Sequence, residues 1–172
     1  MKRTGYGIVF LCLVSGLYAQ QEPKIRESGE DFTYVALECQ GPYAQFPQKI
    51  NELMAEVQKQ KLEMMGGPVV IYYSSPAQVK PEELKWEVCL PQSAYAQVAA
   101  PLKKGSYKHA RVADMIFKGP YDSVASAYPL LMEFIAKNGY TVSGPICETY
   151  LDDPASVKPE DCRTLIVIPV QK

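Results

Sequence analysis

The sequence contains an internal repeat with a spacing of 78 residues. The tripeptide Gly-Pro-Tyr occurs at residues 41–43 and again at 119–121, and the segment PAQVKPEE at 76–83 recurs as PASVKPED at 154–161. A duplicated unit of this length is typical of a chain that folds as two similar halves, which bury a face against each other. The repeat therefore predicts one domain built from two like units.

One residue departs from the repeat in a way that suggests a function. At the spacing of 78, Glu148 corresponds to Val70. A fold that both halves share does not require a carboxylate in only one of them. Glu148 is therefore the first candidate for a functional residue.

The N-terminus has the pattern of a secretory signal peptide over residues 1–19. Lys2 and Arg3 precede a short apolar run at 8–17, and Ala19 is a small residue before a cleavage point ahead of Gln20. The apolar run is shorter than the roughly 20 residues of a membrane span. We expect an exported protein, periplasmic or secreted, with no stable membrane span after cleavage. The alternatives are an uncleaved anchor and a lipoprotein acylated at Cys12.

Charge and cysteine content limit the classes of partner. The net charge is −1 and no run of lysine or arginine occurs, so nucleic acid and anionic membranes are not expected partners. The spacings of the four cysteines that would follow the signal fit no zinc pattern, and the sequence predicts neither a metal site nor a cofactor. An even number of cysteines in an exported chain permits two disulfides. The three pairings stay open, as does the oligomeric state; the cysteines are Cys39, Cys89, Cys147 and Cys162.

Each half of the repeat predicts the order strand, helix, strand, strand. We expect a flexible lead-in at 20–31 and a domain at 32–172, divided into a first half at 32–91, a linker at 92–106 and a second half at 107–172. The first helix is predicted from about residue 44 to 64, ended by the two glycines at 66–67. The second is predicted from Asp122 or Ser123 to about Asn138, with a kink or a broken first turn at Pro129.

Helices that return onto antiparallel strands indicate an α+β fold of two layers. The predicted architecture is a tandem strand–helix–strand–strand duplication, in which an antiparallel sheet carries two helices on one face. A ligand groove is expected between the halves, on the face of the sheet opposite the helices.

Motifs along the whole domain resemble the GyrI-like small-molecule-binding family, also called the AraC-type effector-binding domain. In the second half these are Gly119-Pro120-Tyr121, Asn138-Gly139-Tyr140, Gly144-Pro145, the segment ETYLDDP at 148–154, VKPE at 157–160 and RTLIVIPV at 163–170. In the first half they are IYY at 71–73, VKPE at 79–82 and WEVCLP at 86–91. Their order and spacing together carry the resemblance, over about residues 31–172.

The resemblance implies a tandem fold with a central ligand groove. Family members act as effector-sensing domains of transcription regulators, as stand-alone drug- or toxin-binding proteins, and in some cases as hydrolases of cyclopropane-bearing toxins. An acidic residue at the position of Glu148 commonly faces a cationic or polar ligand among aromatic residues. The expected signal peptide leaves no room for a DNA-binding helix-turn-helix, which disfavours a cytoplasmic regulator or a gyrase inhibitor here.

The predicted ligand-binding residues surround Glu148. Tyr150 is two residues further along the same strand and points to the same face, and Tyr72 is its counterpart in the first half. Trp86 and Tyr121 are further candidates for the aromatic wall, although Tyr121 follows the Gly-Pro turn as Tyr43 does and so also suits a structural role. An acidic centre with an aromatic wall attracts cations through Coulomb and cation–π forces together.

The leading hypothesis is an exported, non-enzymatic protein that sequesters or senses a small cationic or amphipathic ligand. A hydrolase of strained electrophiles is the first alternative, with Glu148 as general base and Tyr150 or Tyr121 as donor. Haem or tetrapyrrole binding is the second, because the SOUL haem-binding proteins have a related duplicated fold. His109 is the sole histidine and follows the linker without a nucleophile motif, so a catalytic role is not expected for it.

Overall fold

The repeated sequence folds into a repeated succession of elements in the computed structural model, which describes residues 21–27 and 31–172. The predicted signal peptide at 1–19 lies outside the described residues. The first half contains β1 (Lys24–Glu27), β2 (Phe32–Gln40), α1 (Phe46–Lys59), β3 (Val69–Tyr72) and β4 (Lys85–Pro91). The second half contains β5 (Lys103–Tyr107), β6 (Arg111–Lys118), α2 (Tyr128–Lys137), β7 (Thr141–Val142), β8 (Ile146–Tyr150) and β9 (Arg163–Gln171).

The strand order shows that the two halves are related by a pseudo-twofold axis. The antiparallel strands run β1-β6-β9-β8-β3-β4-β2-β5, with β7 paired to β9 at the side. Counted inwards from the two edges, the strands at each position are equivalent strands of the two halves, and the innermost pair is β8 and β3. The axis therefore passes between these central strands, where Val70 pairs with Glu148. The predicted α+β fold with an antiparallel sheet and two helices is confirmed.

Each half begins with a strand that the sequence did not predict. β1 lies within the expected flexible lead-in and pairs with β6 of the second half. β5 lies at the end of the expected linker and pairs with β2 of the first half. The prediction that the lead-in is flexible is therefore wrong over β1, and the predicted linker includes β5. The first strand of each half therefore pairs with a strand of the other half, and these pairings join the two units.

The ends of the sheet curl towards each other. β5 and β6 stand six positions apart in the strand order, about 29 Å in a flat sheet. Only residues 108–110 join them, and such a connection reaches about 15 Å at most. The hydroxyl of Tyr107 on β5 also donates to the carbonyl of Pro145 beside β8 at 2.9 Å. The sheet must therefore be strongly curved, with the face opposite the helices on the inside of the curve.

This curvature buries the inner face of the sheet. Val69 and Ile71 from β3, Cys89 from β4 and Cys147 from β8 lie there and are at most 1% exposed. The predicted placement of the groove on the face opposite the helices is therefore wrong. The space between the halves opens on the same face as α1 and α2.

The helices cover two separate cores on the outer face of the sheet. α1 buries Leu53 and Val57 against the first half, and α2 buries Leu131 and Ile135 against the second. α1 ends at Lys59, earlier than predicted, because Lys61 adopts a left-handed conformation with φ 54°. Residues 121–127 form a 3₁₀ helix before α2, so that Pro129 stands in the first turn of α2, which confirms the predicted break.

The four cysteines predicted to follow the signal are all buried. Among the described residues, no disulfide links Cys39, Cys89 or Cys162. None of the helices in the described part of the chain is long and apolar enough to cross a membrane.

Candidate functional site

A cavity of about 910 Å³ lies over the two central strands, between the starts of the two helices. Its floor comes from β3 and β8. Its sides come from the segments at 43–47 and 121–132 and from the turn at 74–76 that follows β3. The cavity therefore straddles the pseudo-twofold axis and receives residues from both halves. Its volume is within the range of sites for small molecules.

Glu148 lies at the floor of this cavity. Strand alternation directs it to the helix-covered face, next to its cross-strand partner Val70. Its side chain lines the cavity, yet the residue is only 5% exposed because the tyrosines around it cover the carboxylate. The residue that breaks the repeat in the sequence is thus at the centre of the structure.

Three tyrosine hydroxyls donate hydrogen bonds to the Glu148 carboxylate. Tyr128 from α2 donates to Oε1. Tyr72 from β3 and Tyr150 from β8 each donate to Oε2 at 3.1 Å. Burial raises the pKa of Tyr72 and of Tyr128, so both hydroxyls remain protonated donors at neutral pH. The ring of tyrosines fixes the orientation of the carboxylate towards the cavity.

The electrostatic environment of Glu148 favours a positively charged ligand. Burial raises the pKa of Glu148, and the three tyrosine hydrogen bonds oppose this rise without cancelling it. Within the described residues the carboxylate has no ion pair, and no lysine, arginine or histidine lines the cavity. A buried carboxylate without a counter-charge is costly, and a cation that enters the cavity would relieve that cost.

Tyr43 and Tyr121 form a symmetric pair of walls. Tyr43 packs edge-on against Tyr72 with the ring centres 4.8 Å apart, and Tyr121 packs in the same manner against Tyr150 at 4.7 Å. The Tyr43 hydroxyl donates to the carbonyl of Ser74, and the Tyr121 hydroxyl donates to the carbonyl of Asp152, both at 2.5 Å. Each tyrosine therefore ties the end of a central strand to a helix start while its ring faces the cavity.

Among the predicted site residues, Trp86 alone does not line the cavity. The structure brings Glu148, Tyr150, Tyr72 and Tyr121 together around it. Trp86 is 1% exposed in the core beneath α1, and its Nε1 donates to the carbonyl of Gly41 at 3.0 Å. It supports the wall indirectly, since its ring packs edge-on against Tyr43 at 5.8 Å. The predicted placement of Trp86 in the groove wall is wrong because Tyr43 covers it.

Tyr128, the remaining donor to Glu148, was not among the residues predicted from the sequence. The signal was available, because at the spacing of 78 its counterpart is Ile50. A polar residue that replaces an apolar one in a single half is the criterion that identified Glu148. Phe46 at the start of α1 also lines the cavity and packs against Tyr150 with the ring centres 5.1 Å apart.

His109 lies outside the cavity, packed against Tyr107 with the ring centres 4.4 Å apart. Burial lowers its pKa. Within residues 21–27 and 31–172, no group of three or more histidine, cysteine or acidic side chains is placed to hold a metal ion.

Solved structures with the same fold have low sequence identity to this chain. The C-terminal domain of EcmrR has a TM-score of 0.75 at 20% identity, over 88% of this chain and 98% of that one. SAV2435, in a structure bound to tetraphenylphosphonium, has a TM-score of 0.54 at 17% identity, over 88% and 94%. A hydrolase from Listeria innocua has a TM-score of 0.64 at 14% identity, over 87% and 92%. These likenesses establish the fold.

The sequence itself matches the GyrI-like small molecule binding domain over residues 21–171. The match starts ahead of the predicted domain boundary at residue 32, and so includes β1. No curated protein sequence matches the chain. The duplicated fold, the cavity on its axis and the match along nearly the whole sequence agree, and the chain belongs to the GyrI-like small-molecule-binding domain family.

Proposed function

We propose that this protein is an exported binding protein that sequesters or senses a small cationic or amphipathic ligand. The observation that carries the proposal is the environment of Glu148. The residue is 5% exposed, and its carboxylate accepts three tyrosine hydrogen bonds. It faces a cavity in which none of the described lining residues carries a positive charge.

The chemistry of the walls supports an organic cation over a metal ion. Aromatic rings and apolar side chains make up most of the lining, and they suit a ligand with a flat or apolar framework. Tyrosine faces attract organic cations by cation–π interaction, worth about 0.5–2 kcal/mol per contact. A small hydrated metal ion would gain little from such walls and would need more oxygen ligands than one carboxylate supplies.

The structural relatives point in the same direction. SAV2435 was solved bound to tetraphenylphosphonium, a bulky monocation with aromatic arms. That observation belongs to SAV2435, but it makes the same compound a sensible first probe for this chain. Export is supported by the signal-like pattern at residues 1–19, which would place binding outside the cytoplasm.

A matched pair of ligands tests the proposal. We expect tetraphenylphosphonium to raise the melting temperature by roughly 3–10 °C at 10–100 times its Kd, because it binds only the folded protein. Triphenylphosphine oxide, which is aromatic but uncharged, should give a much smaller shift at the same concentration. Equal shifts in melting temperature with both compounds would show that the cavity does not select for positive charge. No shift with either compound would contradict the proposal.

The affinity for a cationic ligand should rise with pH. The pKa of Glu148 is raised above its ordinary 4.5, so at acid pH the folded protein holds the residue neutral. As pH rises through the raised pKa, the carboxylate ionises and attracts the cation. We expect the Kd of tetraphenylphosphonium to fall about tenfold or more between about pH 4.5 and pH 8, measured by titration calorimetry.

The same shift has an opposite effect on the stability of the unliganded protein. Protonated Glu148 contributes stability that is fully present below pH 4.5 and is lost as pH rises through the raised pKa. Glu148→Gln should abolish both pH dependences. A Kd for the wild type that does not change over this range would show that Glu148 does not contact the cation.

The hydrolase and haem alternatives have separate readouts on the same purified protein. Consumption of a strained cyclic electrophile by the wild type but not by Glu148→Gln would support hydrolysis. A Soret band after addition of haem would support tetrapyrrole binding.

A further inference from the structure

A second carboxylate stands at the rim of the cavity. Asp122 is exposed, lines the cavity and lies in the first turn of the 3₁₀ helix at Tyr121–Ala127. Its Oδ1 accepts a hydrogen bond from Ser123 Oγ at 3.0 Å. Within the described part of the chain, Asp122 takes part in no ion pair. The carboxylate is therefore available to a ligand that reaches the rim.

The pseudo-twofold axis shows that this charge is present on one side only. The counterpart of Asp122 at the spacing of 78 is Ala44, which is also exposed and also lines the cavity. The two rim positions are thus equivalent in place and differ in charge. A helix start with an uncharged residue at this place forms without difficulty in the first half, so the fold does not require the carboxylate.

Two tyrosine rings, packed edge-on, lie between the two carboxylates. Asp122 adjoins Tyr121 in the chain, the ring of Tyr121 packs against Tyr150 at 4.7 Å, and Tyr150 donates to Glu148. The cavity therefore has one negative charge at its floor, a second at its rim, and a π surface between them. Among the residues that the structure describes, no positively charged side chain lines the cavity to neutralise either charge.

We propose that the cavity is a two-point site for elongated aromatic dications. Glu148 binds the inner charge, the rings of Tyr121 and Tyr150 contact the aromatic body, and Asp122 selects a second positive group that projects to the rim. This inference rests on the proposed function, since it assumes that cations enter the cavity, and it adds a preference for two charges over one.

Ethidium and propidium are a suitable pair of probes, because they share an aromatic core and differ by a quaternary ammonium arm. At low salt we expect the wild type to bind propidium about 2–5-fold more tightly than ethidium, the size typical of an exposed ion pair. Asp122→Asn should reduce this ratio to about 1 while it keeps the hydrogen-bonding capacity at the helix start. Salt near 1 M should reduce the ratio in the same way, because it screens exposed charges.

Two further variants make the test specific to the place of the charge. Glu160→Gln removes an exposed carboxylate that does not line the cavity, changes the net charge by the same amount, and should leave the ratio unchanged. Ala44→Asp adds a carboxylate at the equivalent rim position and should raise the preference for propidium by about another 2–5-fold.

The outcomes separate this inference from the proposed function. If both dyes bind and Asp122→Asn keeps the wild-type ratio, the rim carboxylate does not select the second charge and the inference is wrong. If Glu160→Gln reduces the ratio as much as Asp122→Asn, the effect comes from net charge and the two-point site is also rejected. If neither dye binds the wild type while tetraphenylphosphonium does, this inference alone is wrong. If none of the three cations binds, the proposed function fails and this inference fails with it.

Discussion

Glu148→Gln is expected to weaken the binding of tetraphenylphosphonium by about 10–100-fold, which corresponds to roughly 1.4–2.8 kcal/mol. The amide has the shape of the carboxylate, so the substitution removes the charge and changes the volume little. The attraction it removes acts at a residue that is 5% exposed, where water screens charges poorly. Titration calorimetry at neutral pH measures the change directly.

The same variant should retain the stability of the wild type. Its amide oxygen can still accept from two of the three tyrosines, and the hydroxyl of the third can rotate to accept from the amide NH2. The variant also no longer buries a carboxylate whose pKa is raised by burial. We expect the melting temperature at pH 7 to be unchanged or slightly higher. The affinity for triphenylphosphine oxide should change less than twofold, because that ligand has no charge for Glu148 to attract.

Glu160→Gln is a matched control, since Glu160 is exposed and does not line the cavity. It should leave both affinities as they are in the wild type. A large loss of stability in Glu148→Gln, together with unchanged binding of tetraphenylphosphonium, would assign Glu148 to the fold and refute its role in the site.

Trp86→Ala is expected to lower the free energy of unfolding by about 3–5 kcal/mol. The side chain fills the core beneath α1 at 1% exposure, and alanine would leave a void there. The substitution also removes the indole donor from the carbonyl of Gly41, a bond of 3.0 Å. Urea denaturation followed by circular dichroism is the suitable measurement, because Trp86 is the sole tryptophan and its fluorescence disappears in the variant.

The repeat offers a control for this prediction at Thr164, the counterpart of Trp86. Thr164 is fully buried, and its Oγ1 has no hydrogen-bond partner among the described residues. Thr164→Val replaces an unpaired hydroxyl with a methyl group of similar shape, so stability should stay the same or rise by up to about 1 kcal/mol. A loss of less than about 1 kcal/mol in Trp86→Ala would contradict the assignment of Trp86 to the core.

The two short leading strands could not be predicted from local pattern. The segments KIRE in β1 and KKGSY in β5 lack the apolar alternation that marks a half-buried strand. They are strands because β6 and β2 present free edges to them, and these edges come from the other half of the chain. Pairing between distant segments is a property of the assembled sheet.

The sequence also could not show how deeply each side chain is buried on its face of the sheet. Alternation placed Glu148 and Tyr150 on one face of β8, and the structure confirms it, because side chains two residues apart in a strand must share a face. The same alternation puts Trp86 on one face of β4 with Val88 and Leu90, but it does not show that Tyr43 covers the indole ring. Tyr128 reaches Glu148 from a helix 20 residues away, a contact that strand periodicity does not contain.

The sequence by itself determined the duplication, the fold class and the residue at the centre of the site. Repeated turns and apolar spacing are local signals, and a carboxylate in one half alone is visible as soon as the halves are aligned. The tertiary structure decided which face carries the cavity and which aromatic rings reach it. Both faces of the sheet are apolar enough to be buried, and only the curvature of the assembled strands closes one of them and leaves the other open between the helices.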